Sequence, residues 1–190
     1  MKTQPSFGKF LPVAVMIGVA AALVVYLSVN VFASMYPWAG AVWVIFISWA
    51  LYFMAGAKVS RIPKYVLGLV GGVVFGLVTL MLMSNVFAPM VGAYALPVTV
   101  FFVATAIVLL ELTNLFELAP AYFFGYATYF AYVFNPNLAS TSNAMDVVYV
   151  SVLLLVGVLV GYITATLRAK ILDMERVPFE LRDTIFDKEN

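Results

Sequence analysis

The sequence predicts an all-α integral membrane protein: six transmembrane helices in two inverted three-helix repeats, both termini cytoplasmic. Composition, the placement of basic residues and an internal repeat predict it. Of the 190 residues, 65% are hydrophobic and 10% charged, too few charges to cover a water-soluble domain. With lipid as solvent, every backbone polar group needs a partner inside the protein, which leaves helices or closed barrels. The apolar stretches run to about twenty residues without alternation, as spanning helices require and barrel strands do not.

The first span is expected at residues 11–33, behind Lys2 and Lys9, and is too long for the core of a cleavable signal. The others are expected at 38–57, 65–87, 91–110, 118–134 and 147–167. They are separated by Ser34-Met35-Tyr36-Pro37, the basic stretch 58–64, Pro89, the segment 111–117 and the polar loop 135–146. Pro97 removes a backbone donor from the fourth span and is expected to kink it. Pro120 suits the first turn of the fifth. Residues 1–168 thus form the membrane domain, with repeats at about 10–88 and 91–168, and 169–190 form a solvated tail of alternating charge.

Six spans put all ten basic residues on one side: Lys2, Lys9, Lys58, Arg61, Lys64, Arg168, Lys170, Arg176, Arg182 and Lys188. Basic loops stay cytoplasmic. An odd number of spans would scatter these charges. Asp146 is the one charge expected on the far side, in a solvated loop or, alternatively, a vestibule admitting solute.

Two segments recur in order. Phe46-Ile47-Ser48-Trp49-Ala50-Leu51-Tyr52-Phe53 matches Phe123-Phe124-Gly125-Tyr126-Ala127-Thr128-Tyr129-Phe130. Gly72-Val73-Val74-Phe75-Gly76-Leu77-Val78-Thr79 matches Gly157-Val158-Leu159-Val160-Gly161-Tyr162-Ile163-Thr164. An odd number of spans per half inverts the second half, an arrangement that places a solute site at the repeat interface near midplane.

With neither cysteine nor histidine, disulfides, thiol chemistry and imidazole acid–base or metal chemistry are excluded. No phosphate loop, metal constellation or nucleophile triad occurs, so neither an enzyme nor a cofactor is expected. Gly72, Gly76, Gly157 and Gly161 read as helix-packing positions, since paired small residues let another backbone approach. Phe46, Trp49 and Phe53 share a helix face, as do Phe123, Tyr126 and Phe130; Tyr52 and Tyr129 lie beside them. With Ser48 and Thr128, these residues are the candidate pore or solute-binding set. Packing between helices or toward lipid is the competing reading. An aromatic slot passes small weakly polar molecules and rejects hydrated ions, whose desolvation it does not compensate. Tyr36, Trp38 and Trp43 suit interfacial anchoring. Glu111 and Glu117 are expected at the water boundary, paired with Arg61 or Lys64.

Trp38-Ala39-Gly40, Tyr52-Phe53, Pro120, Gly125, Ala127-Thr128 and Phe130-Ala131 resemble the YcdZ-like family of small bacterial inner-membrane proteins of unknown function. The resemblance covers most of the membrane region but not the tail. It implies a small multi-span protein and supplies no site residues. The expected function is a channel or facilitator for a small neutral solute of urea, ammonia or amide type, passing between the second and fifth helices of a homo-oligomer. The alternatives are an accessory subunit that binds other membrane helices, or a coupled transporter with Glu111 or Glu117 buried. The expected partners are the lipid bilayer and the solute, not nucleic acid.

Overall fold

The computed structural model describes residues 6–32, 34, 40–138, 140 and 144–178. These residues form helices and connections. Their order is α1 (Phe7–Tyr26), α2 (Val42–Met54), α3 (Ile62–Leu82), the short α4 (Ala88–Val91), α5 (Ala95–Leu109), α6 (Ala119–Val133) and α7 (Ala144–Met174). Wider π turns extend α1 through Leu27–Val31 and α3 through Met83–Phe87. The helical runs Phe7–Val31, Val59–Leu112 and Ala144–Met174 are long and apolar enough to cross a membrane, consistent with a membrane protein. Tyr36 and Trp38, like Lys2, Arg182 and Lys188, lie outside the described residues.

Local chemistry accounts for the breaks. α2 ends where Gly56 takes φ 88° and Ala57 φ 51°, and the Ala57 N–H donates back to Tyr52 O at 2.9 Å. The hydroxyls of Tyr52 and Tyr65 hold this turn by donating to Ala57 O and Ala55 O, at 3.2 and 2.7 Å. The run from Val59 to Leu112 turns at Gly92, whose φ of 55° suits a residue without a side chain. Pro97 lies in the first turn of α5, where backbone N–H groups have no partner inside the helix in any case, so no helix hydrogen bond is lost there. Pro120 opens α6 as expected.

Two tight helix pairs, α3 with α6 and α2 with α7, make the centre of the fold. Both are parallel. A side-chain carbon at Gly68 would meet Ala121 and one at Gly76 would meet Tyr129, so contacts advance together along α3 and α6. The same holds for α2 and α7, where Gly157 faces Ile45 O and Gly161 faces Tyr52. The pairs meet along α3 and α7, and more sparingly along α2 and α6. The peripheral helices attach crosswise: α1 to α7, and α5 to α3.

α1 contributes a single buried residue, Val13, and exposes Leu11, Val15, Val19 and Leu23. Val13 clusters with Leu172 and Val177, so the start of α1 and the end of α7 share one end of the bundle. That contact also changes the expected tail. α7 continues past residue 168 to Met174, because Leu172 has an apolar seat to fill. At the same end, Lys64 on α3 ion-pairs with Glu117 just before α6, as expected for boundary charges. Glu111 is exposed.

The glycines of the tight pairs have no room for a side chain. A carbon added at Gly72 would press on Tyr122 O and lie 2.8 Å from Tyr126 N, and one at Gly161 would lie 2.9 Å from the Tyr52 side chain. We expect Gly72→Ala and Gly157→Ala each to destabilise the detergent-solubilised protein by about 1–3 kcal/mol, the usual cost of overpacking. Gly18, with nothing near it, is the control: Gly18→Ala is expected to leave thermal unfolding unchanged.

Candidate functional site

The aromatic residues of α2 and α6 make matched contacts with different helices. The Trp49 indole N–H donates to Thr164 Oγ1 on α7 at 2.9 Å. The Tyr126 hydroxyl lies 3.0 Å from Thr79 Oγ1 on α3. Each threonine has one proton and spends it on its own helix, Thr164 on Val160 O at 2.7 Å and Thr79 on Phe75 O at 2.8 Å. Thr79 must therefore accept from Tyr126, just as Thr164 accepts from Trp49. Both aromatics are buried.

The backbone contacts are matched in the same way. Gly157 faces Ile45 O and Gly72 faces Tyr122 O; Gly161 meets the Tyr52 ring and Gly76 the Tyr129 ring. Gly125 presses on Leu69 O, and in the corresponding place on α2 stands Ser48, whose hydroxyl abuts Gly157. That hydroxyl is bonded locally, to Ile45 O at 3.2 Å. Thr128 Oγ1, by contrast, is buried with no partner.

The outer members of the two stripes border separate grooves. Phe46 stacks on Trp49 with ring centroids 5.5 Å apart. With Ala50 and Phe53 they line an apolar groove of about 590 Å³, closed on the other side by α1 through Val13 and Ile17, with Arg168 among its lining residues. Phe123 borders a second groove, of about 460 Å³, with Ala127, Pro120 and Glu111. Phe130 packs edge-on against Tyr126, with centroids 4.8 Å apart. Tyr52 and Tyr129 are buried in the core.

Two features were not evident from sequence. Threonine in a membrane helix reads as self-satisfied, which hid the acceptor role of Thr79 and Thr164. Asp146, placed by sequence reasoning in a solvated loop, is completely buried at the start of α7. Its Oδ2 accepts from Ser140 Oγ at 2.9 Å. The polar composition of the loop concealed its inward turn, in which Leu138 packs against Gly40.

A family model described as a protein of unknown function (DUF1097) matches residues 14–169. No curated protein matches the chain. No solved structure matches it either.

The matched bonds give a stability prediction. In a double-mutant cycle of Tyr126→Phe with Thr79→Val, followed by thermal or denaturant unfolding, the pair is expected to couple by about 1 kcal/mol, the scale of interhelical hydrogen bonds in membranes. Trp49→Phe with Thr164→Val is expected to give a similar value.

Proposed function

The chain belongs to this DUF1097 family, and we propose that it is a six-span, inverted-repeat facilitator in a bacterial inner membrane. Its solute is small and neutral, of the urea, ammonia or short-amide class. The observation that carries this reading is the doubled contact set. Trp49 with Thr164 and Tyr126 with Thr79 occupy the same places in the two recurring segments, as do the glycine contacts of α7 on α2 and of α3 on α6. An inverted duplication relates those pairs, and such folds hold their solute at the repeat interface.

On this reading the path follows the seam between α2 and α6, which is packed more sparingly than the pairs beside it. It passes Tyr52, Tyr129 and the unsatisfied Thr128 hydroxyl. Aromatic walls with one or two hydroxyls favour a weakly polar neutral molecule over a hydrated ion. The basic residues between α2 and α3 and those after residue 167 make their end of the bundle cytoplasmic, with both termini there. The unburied face of α1 suits contact with a second copy, hence a homo-oligomer. Tyr52-Phe53 and Ala127-Thr128 support placing the chain among the YcdZ-like proteins. The Lys64–Glu117 pair and the exposure of Glu111 speak against coupled transport through either acid.

An accessory role is the second reading. It is favoured by the apolar groove between α1 and α2, whose lining of Val13, Ile17, Phe46 and Trp49 suits an apolar helix.

Stopped-flow light scattering on proteoliposomes separates the two. Urea, acetamide or ammonia is expected to equilibrate several-fold faster than through protein-free vesicles. Thr128→Val, which removes the unpartnered hydroxyl on the proposed path, is expected to slow that rate by about tenfold, equivalent to about 1.4 kcal/mol in the barrier. Rates equal to those of empty vesicles for every solute would reject the facilitator.

A further inference from the structure

The groove beside α1 is apolar along its walls and cationic at one end. Phe10, Ala14 and Ala21 of α1 face Phe46 and Phe53 of α2 across it, and Arg168 of α7 completes the lining. Two contacts fix where the arginine stands. Trp49 in the wall bonds to Thr164, one turn before Arg168. Val13 in the opposite wall clusters with Leu172, one turn after it. The charge therefore lies at the end of Phe10 and Phe53, and Ala21 and Phe46 form the apolar end.

The length of the groove is informative. From Phe10 to Ala21, α1 rises about 17 Å at 1.5 Å per residue. That is close to half of the ~30 Å hydrocarbon core of a bilayer, the depth of one leaflet. The space is not closed by α1: a carbon added at Gly18 would meet nothing within 4 Å, and about 590 Å³ stays open. Arg168 is half-buried at its edge, and Lys9 and Lys170, both exposed, add positive charge at the same end.

We propose that this groove binds one acyl chain of an anionic phospholipid, with the lipid phosphate held against Arg168. The guanidinium is a planar fork of five N–H donors, so it holds a phosphate through two of them and keeps others for the protein. A zwitterionic lipid offers the same phosphate but carries its own cation, so the basic end selects for net negative charge. An apolar helix would fill the walls but would bring no negative charge to the arginine. The site goes beyond the facilitator reading and stands whether or not a neutral solute crosses.

Trp49 is the reporter for the test, because it lies in the groove wall. Trp38→Phe and Trp43→Phe leave it as the one tryptophan of the original three in the full-length chain. This protein is reconstituted in phosphatidylcholine vesicles in which either phosphatidylglycerol or phosphatidylcholine carries brominated acyl chains, at equal mole fraction. Bromine quenches tryptophan fluorescence on contact. We expect brominated phosphatidylglycerol to quench several-fold more strongly than brominated phosphatidylcholine, and to saturate. Arg168→Gln is expected to lower its quenching to the phosphatidylcholine level. Ala14→Phe, which puts a ring into the groove from an exposed position, is expected to weaken quenching by both lipids. Equal quenching by the two lipids before Arg168 is changed overturns the proposal, as an unselective groove. Quenching by neither overturns it in favour of a seated helix. A preference that survives Arg168→Gln overturns it as well. Should Arg168→Gln fail to fold, Ala14→Phe decides on its own: undiminished quenching rejects the site. Urea flux serves as the separate readout for the facilitator, so the two proposals fail independently.

Discussion

Close approach of backbones at glycine is the constraint on which this fold depends. Lipid is as apolar as leucine, so burying hydrocarbon between helices drives little association in a membrane. What holds helices together there is van der Waals contact at short range, and that requires a flat surface. Gly72, Gly125 and Gly157 each bring a helix backbone against a carbonyl of its partner. The rest is built on that approach. Trp49 can reach Thr164, and Tyr126 can reach Thr79, because the helices carrying them already lie close together. The polar bonds then fix register along pairs that apolar contact alone would allow to slide.

The consequence is an uneven molecule. Two parallel pairs form a stiff centre, while α1 and α5 sit outside it with much of their surface uncovered. Helices held by few buried contacts are the ones expected to open first. The apolar grooves beside them are a product of that looseness: α1 leans on α7 near Val13 and Leu172, leaving a gap over Phe46 and Trp49. A facilitator can use such an arrangement, with rigid walls around a seam and a periphery free to meet a second copy or lipid.

Much of this was legible in the sequence, for identifiable reasons. Long apolar runs announce helices because a membrane permits little else. The glycine spacing pointed to close packing, and the two recurring segments hold residues that make like contacts, such as Trp49 with Thr164 and Tyr126 with Thr79. Their partners were not legible. Gly72 pairs with α6 and Gly157 with α2, which no local pattern encodes. Nor was the role of Thr79 and Thr164, because a hydroxyl bonded to its own helix still has lone pairs to offer. Asp146 was misjudged most. Composition marks a polar loop as solvated, but burial depends on where Leu138 and Ser140 carry the chain, and that is set in three dimensions. The seat for Leu172, which extends α7, was hidden for the same reason.

Cysteine labelling tests the inverted arrangement most directly, since the chain contains no cysteine of its own. Single cysteines at Ser60, between α2 and α3, and at Asn137, between α6 and α7, are separated by three spans in the proposed topology. A membrane-impermeant maleimide added to intact cells should label Asn137→Cys and reach Ser60→Cys only after the membrane is opened. Labelling of both positions from the same side would contradict two inverted three-helix halves.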